Sequence, residues 1–435
     1  TRFAQDSAKA GQPLEIEVFN NQNRLLARTV YEYLFDMSVP FFSPVTKIRR
    51  EEYDPITESE RSIFTEYTHD TYGNVKATIE HGDLAVSDDE RVMVSEYFPN
   101  STYYVTRFPG RITVRSGINP SGTTILSDKR FLHDGLTSYS SAPVKGLVTK
   151  TQWVDAKTGA IVAETRAYNP NGTLKEETGA DGVKTTLTYH ATAPQLPTKK
   201  KRGATSWIDT EYDLVSMQPV STRDQNGAQT TVTYDALGRP ATMQGGGDRA
   251  RVRFEYLDHG NPALSRIRTS AGSLWSEKWI DGLGRIWKKT DQSGRVDESA
   301  FHLLTDKPRT IWNPYPSGQP KPGCTRITYD ALMRIVQVRR PDGSVATSLH
   351  TPGVEVHTDE VGKIVRTSRD VSGNIVKVEE KNGSEWYTTL WRYNLLGDMV
   401  ESIDHKGNKT IREFDRMRRI VKTIDPDRGT LTYAY

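Results

Sequence analysis

The sequence predicts an all-β fold, an array of β-hairpins in which one face of each strand is partly covered and the other is wet. Three observations carry that prediction: a turn motif repeated down the chain, period-two alternation ahead of each turn, and a composition poor in apolar residues yet rich in aromatics. The motif reads aromatic, Asp or Asn, two variable residues, Gly and a polar residue. Tyr234-Asp235-Ala236-Leu237-Gly238-Arg239 is its clearest copy, and Tyr393-Asn394-Leu395-Leu396-Gly397-Asp398 repeats it. Asp281-Gly282-Leu283-Gly284-Arg285 keeps the turn behind Ile280, while Tyr329-Asp330-Ala331-Leu332-Met333-Arg334 and Phe414-Asp415-Arg416-Met417-Arg418-Arg419 keep it without the Gly. Tyr393, Phe414 and Tyr435 are 21 residues apart (414−393 and 435−414), which is room for two strands and two turns per unit.

Each element of the motif has a mechanical reason. In Thr231-Val232-Thr233-Tyr234 and Arg326-Ile327-Thr328-Tyr329 the apolar and aromatic residues share one face and the Thr and Arg residues the other, the pattern of a half-buried strand. The Asp or Asn side chain bonds its own backbone a residue or two on, and Gly accepts positive φ without a Cβ clash, so Asp-x-x-Gly reverses the chain. Three residues past the Gly slot a large apolar residue returns, namely Trp287, Val336, Val376, Val400 and Val421, with Val338 and Val378 keeping the parity. The covered face therefore continues through each hairpin.

A second reversal closes each unit, as in Asp224-Gln225-Asn226-Gly227, Asp291-Gln292-Ser293-Gly294, Pro341-Asp342-Gly343, Lys381-Asn382-Gly383 and Asp404-His405-Lys406-Gly407. Asn-Gly and Asp-Gly are hairpin cues. Calcium ligation needs about six or more oxygens at ordered spacing, and none of these loops has the terminal Glu of an EF-hand, so they read as turns.

Composition bounds the rest. Of 435 residues only 35% are hydrophobic and the mean hydropathy is −0.63, too little for many doubly buried strands, but 20 Tyr, 12 Phe and 8 Trp suit strands with one wet face. The formal charge of +3, from 58 basic and 55 acidic residues, gives no global field toward nucleic acid or an anionic membrane. The one strong basic run, Lys199-Lys200-Lys201-Arg202, reads as a solvated loop. Cys324 is the single cysteine; it excludes an internal disulfide and a Cys-rich metal site, and Pro322-Gly323 ahead of it suggests a loop. No stretch approaches the roughly 18 to 20 apolar residues of a membrane-spanning helix, and the N-terminus carries no signal-peptide core.

Along the chain, residues 1–145 carry weaker repeats and read as an irregular β-rich section, and residues 146–435 as the regular array. All eight Trp lie at or beyond Trp153. Ala193–Ala204 and Asn313–Gly323, rich in Pro, Gly and Lys, read as excursions from the array. The one short helix expected starts at Thr57-Glu58-Ser59-Glu60, a capping-box pattern. With no initiator Met and a stop where the rhythm calls for the next Asp or Asn, the chain reads as a segment of something longer. Its last strand, Thr430 to Tyr435, is then expected to lack a successor and to favour self-association.

The motif copies at Tyr234, Tyr329, Tyr393 and Phe414, with the intervening Asp-x-x-Gly turns, resemble those of YD-repeat (Rhs-type) proteins, and within them the shell-forming B component of bacterial insecticidal toxin complexes. The resemblance covers about Gly146 to Tyr435 well and the earlier part loosely; the repeat region of animal teneurins is similar too. It implies a β-hairpin array spiralling into part of a hollow shell that encloses a toxic polypeptide, with the remaining shell segments and that polypeptide as partners. It also implies a bacterial protein, secreted or associated with the cell surface. No self-cleaving segment, variable toxin tip or propeller is visible in this stretch.

The residues offer no pattern for catalysis. Nine His are scattered without His-Glu-x-x-His spacing, Gly245-Gly246-Gly247 lacks the Lys-Ser/Thr of a phosphate loop, and Cys324 has no catalytic signature around it. Asp88-Asp89 and Glu51-Glu52 are adjacent pairs that a strand would send to opposite faces. No enzyme activity, metal or cofactor is expected. The repeat residues Tyr234, Asp235, Gly238, Asp281, Gly284, Tyr329, Asp330, Tyr393, Asn394, Gly397, Phe414 and Asp415 are expected to act structurally. The leading expectation is a container wall. Its rival is an extracellular adhesion module binding glycans through exposed aromatics such as Trp275, Trp279, Trp386 and Trp391, although strand aromatics ordinarily fill a covered face.

Overall fold

A computed structural model describes the whole chain except residues 5–10, 35–42, 55, 58, 123, 156–157, 248, 262 and 304. Among the described residues it contains 36 strands and no helix, so the fold is all-β. The chain forms two compact units, the first comprising residues 1–165, 329–336 and 346–435 and the second residues 166–328 and 337–345.

In the first unit, strands from Arg2–Phe3 to Ile161–Tyr168 pair antiparallel, each with the next in sequence. A second ladder in the same unit runs likewise from Val345–Thr351 to Gly429–Thr432. The second unit repeats the arrangement from Leu174–Thr178 to Leu274–Ile280 and on to Arg295–Phe301. Pairing between sequence neighbours is what short reversals permit; the exceptions are Arg295–Phe301, which also pairs with Tyr315–Pro316, and Pro308–Trp312, which pairs with Cys324–Tyr329.

The motif leaves a mark on register. The ladder slips between Thr233 and Tyr234, between Trp279 and Ile280, between Arg392 and Tyr393 and between Glu413 and Phe414. A bulge thus sits at the strand end that feeds each turn, where it raises the local twist and re-aims the aromatic.

Burial is thin. Val92, Val296 and Thr113 are the large side chains most completely enclosed, and Ala77, Ile79 and Val92, with Val94 against them, form a small core in the first unit. The chain exposes 26290 Å². A compact domain of 49.0 kDa exposes about 17,000 Å², so most strands carry no second layer. Trp287, Val336, Val376, Val400 and Val421 accordingly lie half-buried rather than in a dry interior.

Four local readings are corrected. Glu60 opens the strand Glu60–His69 and Thr57 lies in a turn, its hydroxyl 2.7 Å from Asp54 Oδ2, so the capping-box residues serve a turn and not a helix; Glu58 lies outside the described residues. Lys199–Arg202 lies in a strand, Pro197–Arg202, because Asp209 pairs with Lys199 at 3.0 Å and Asp181 with Arg202 at 2.9 Å. Cys324 begins the strand Cys324–Tyr329 opposite Trp312. Asp88 and Asp89 follow a turn rather than occupying a strand.

Candidate functional site

The motif turns share one construction. Asp235 Oδ1 accepts the amides of Leu237 and Arg239, each at 2.9 Å, and its Oδ2 accepts Arg239 Nε at 2.8 Å. Gly238 closes the turn at φ 74°, donating to the Asp235 carbonyl at 3.0 Å. Asp281 with Leu283 and Arg285, Asp330 with Leu332 and Arg334, and Asp415 with Met417 and Arg419 reproduce the set. Gly284 and Gly397 take φ 79° and 82°; where the Gly is missing, Met333 and Arg418 adopt φ 60° and 64°, a strain of roughly 1 kcal/mol each that the carboxylate's bonds offset. Asn394 is the neutral version. Its Oδ1 accepts the Leu396 and Asp398 amides at 3.0 Å and its Nδ2 donates to Asp398 at 3.0 Å, so the partner at the last position is an acid instead of Arg.

These bonds set the charge states. The Arg239 side chain and amide hold the Asp235 carboxyl below its ordinary range. At Asp281 and Asp415 partial burial pushes the carboxyl up, but the Arg285 and Arg419 amides and guanidinium groups outweigh it and the net shift is down.

The polar residue after the Gly slot also reaches the next repeat. The Arg239 guanidinium lies 4.0 Å from the Tyr256 ring centre, Arg419 lies 4.4 Å from Tyr435, and Arg285 lies 5.0 Å from Phe301. The tyrosine hydroxyl then bonds back to the residue following that Arg: Tyr256 to the Pro240 carbonyl at 3.0 Å and Tyr435 to the Ile420 carbonyl at 3.0 Å. Tyr234 reaches the Pro219 carbonyl at 2.7 Å and Tyr212 the Pro197 carbonyl at 3.1 Å, while His350 Nε2 lies 2.8 Å from the Ile335 carbonyl. Asp, Arg and aromatic thus form a chain of contacts that ties each hairpin to its successor. The predicted repeat residues are distributed turn by turn along ladder edges, Tyr234 to Gly284 in the second unit and Tyr329 to Asp415 in the first.

Within the first unit this edge meets the earlier ladder. Gly353 N donates to Glu52 Oε2 at 3.3 Å, Arg91 donates to the Leu395 carbonyl at 2.6 Å while also pairing with Glu80, and Arg416 donates to the Ala160 carbonyl at 3.0 Å. Both sides advance together. Six strands separate Glu52 from the turn holding Ala160, and six separate Gly353 from the Asp415 turn. Tyr393, Asn394 and Gly397 line a cavity of about 440 Å³ on this seam, beside Arg50, Asp89 and Asp370.

Two groups escaped sequence reasoning, Asp128, which is buried, and Asp134, which is half-buried. Asp128, only 5% exposed, receives both arms of Arg111 at 2.9 Å and Arg130 at 2.9 Å. Asp134 accepts the amides of Val144, Lys145, Gly146 and Leu147 at 2.7 to 3.1 Å, fastening the loop whose Tyr139 ring sits over Arg111 and Arg130. Burial would raise the Asp134 carboxyl, but the four amides leave it lowered. An isolated acid 10 or so residues from a Gly gives no recognisable signal.

The tryptophan faces are occupied by cations: Arg268 over Trp275 at 4.7 Å, Lys288 over Trp279 at 4.7 Å and Arg366 over Trp386 at 4.9 Å. Trp391 is half-buried. Among the described residues no group of three or more His, Cys, Asp or Glu is arranged to hold a metal, and no helix is long and apolar enough to cross a membrane.

A ladder of coupled hairpins with little second layer defines a fold class that known structures share. No protein-family model and no curated protein matches the chain. Among solved structures, the crystal structure of TcdB2-TccC3 is similar over 99% of this chain and 32% of that one, with TM-score 0.75 and 13% identity. The TcdB2-TccC3-Cdc42 crystal structure gives TM-score 0.77 at 12% identity over 97% of this chain and 33% of the other. The Photorhabdus luminescens Tc holotoxin pore gives 0.73 at 12% identity over 99% and 33%. The chain has the fold of about one third of these toxin-complex chains.

Proposed function

We propose that this chain is a non-catalytic structural wall of a hollow β-shell, the segment of a bacterial, secreted or surface-associated toxin complex that encloses a toxic polypeptide before delivery. Its partners are the remaining shell segments and the enclosed chain. The observation that carries this reading is the coupling of successive repeats through Asp, Arg and aromatic in a sheet with little second layer. Such a sheet gains its stability from neighbour-to-neighbour contacts and leaves two broad surfaces uncommitted. Likeness in fold to toxin-complex chains supports it, and the cation-covered Trp faces weigh against sugar stacking.

The test uses the complete protein that carries this segment. After brief proteinase K treatment, an enclosed polypeptide should survive while the intact wall protects it, and should be cut once about 4 M guanidinium opens the wall. Equal cleavage before and after opening would overturn the proposal, and so would a complete protein with no polypeptide inside.

A further inference from the structure

In the first unit the loop joining the strands Val75–Asp83 and Arg91–Tyr97 closes on one carboxylate. Asp89 Oδ2 accepts the Asp83 amide at 2.9 Å and so ties the end of the loop to its start. Asp89 Oδ1 is enclosed and has no hydrogen-bond donor among the described residues. It lies 2.0 Å from where a Cβ on Gly82 would stand, so glycine at that position is what admits the carboxylate. Asp88 beside it is held at φ 68°, in the left-handed region where a Cβ is strained. Apolar packing adds little to the closure, because Leu84 and Val86 are 55% and 51% exposed.

A carboxylate enclosed with one oxygen unpaired is less favourable than the neutral acid. The charges around Asp89 widen that difference. On its own loop stand three more acids, Asp83, Asp88 and Glu90. The cations of the neighbouring strands are engaged elsewhere: Arg61 on Asp83 at 2.9 Å, Arg91 on Glu80 and on the Leu395 carbonyl, and Arg115 on the Gly122 carbonyl. Arg50 and, from the second ladder, Asp370 line the adjoining cavity with opposite charge. Burial, together with Glu90 and Asp83, lifts the Asp89 carboxyl above its ordinary range and outweighs the Asp83 amide, which pulls it down. The closed loop is therefore favoured below the open-chain value of about 4 and loses that advantage as the pH rises through the higher value of the closed form.

Asp88 and Asp89 also line the cavity of about 440 Å³ between the two ladders of this unit, together with Tyr393, Asn394 and Leu395. We propose that Asp89 is an acid-set clasp: as the neutral acid it holds residues 83–90 against Gly82, and on ionising it lets them lift away from the cavity between the ladders. This goes beyond the wall function and does not depend on it.

Hydrogen exchange of the 435-residue chain at about pH 4 and about pH 7, corrected for the intrinsic rate at each pH, tests it. Protection of the Asp83 amide should be several-fold lower at the higher pH, while that of Val92 in the core stays the same. Asp89→Asn keeps the shape of the side chain without its charge and should hold the higher protection at both values. Gly82→Ala sets a Cβ onto the carboxylate and should show the lower protection at both. Equal protection of Asp83 at the two pH values in the parent chain overturns the proposal. A pH dependence that survives in Asp89→Asn would belong to His81 or another acid and overturns it too, as does an Asn variant no better protected than Gly82→Ala.

Discussion

Removing the carboxylate of Asp281 should loosen one turn by about 2 kcal/mol without unfolding the ladder. The side chain accepts the Leu283 and Arg285 amides at 3.0 Å and the Arg285 guanidinium at 2.7 Å. Each amide bond is worth about 0.5–1 kcal/mol net, because the turn is open to water, and the partly exposed ion pair adds about 0.2–1 kcal/mol. Asp281→Ala loses all three. Asp281→Asn keeps the amide acceptor, as Asn394 does in its own turn, and should cost less than about 1 kcal/mol. Native-state hydrogen exchange reads the difference. The Leu283 and Arg285 amides should exchange about 30-fold faster in Asp281→Ala, less than fivefold faster in Asp281→Asn, and the turn at Asp235 should be unaffected. Equal rates in the Ala variant and the parent, or the same loss in both variants, would show that the carboxylate does not hold the turn.

Asp128→Ala leaves Arg111 and Arg130 facing each other beneath Tyr139, and should cost about 3–5 kcal/mol by urea denaturation of the first unit. The loop fastened by Asp134 should be acid-sensitive, because its carboxyl is lowered in the folded chain. The stability it contributes is present above the unfolded carboxyl value of about 4 and is lost as pH falls through the lower folded value. Cleavage within 135–146 by pepsin should therefore rise as the pH drops, and Asp134→Asn should show the cleavage without the pH dependence. Gly110→Ala puts a Cβ 2.0 Å from the Tyr139 carbonyl oxygen, which should displace the loop and raise its cleavage by a protease within 135–146 at neutral pH. Tyr256→Phe removes only the bond to Pro240; it should cost about 1 kcal/mol in thermal unfolding while Arg239 keeps its place on the ring.

Much of this architecture is legible in the sequence because its determinants are local. Asp235, Gly238 and the Val232/Tyr234 parity act within six residues, so the turn, the strand and the hairpin array follow from reading along the chain. The polar residue after the Gly slot was visible too, but its role was not: Arg239 meets Tyr256 only because the pitch of the ladder brings the next repeat beside it. Contacts such as Arg91 with Leu395 or Gly353 with Glu52 join residues about 300 positions apart, and no periodicity encodes them. The helix expected at Thr57 failed for a related reason. A Thr followed by Glu is a local cap only where an apolar stripe follows at helical spacing, and here Glu60 to His69 pairs on both sides with strands. The Lys199–Arg202 run reads as a loop because it follows Pro197-Thr198 and precedes Gly203, but cross-strand partners at Asp209 and Asp181 hold it in a strand.

Cryo-electron microscopy of the complete protein that carries this segment is the most direct measurement. The wall reading predicts a cavity bounded by this ladder, with Arg239 seated on Tyr256 and Arg419 on Tyr435, and with polypeptide density against its inner face. A ladder packed against a second layer to make a solid core, or one that projects outward with both faces in solvent and no enclosed volume, would contradict it.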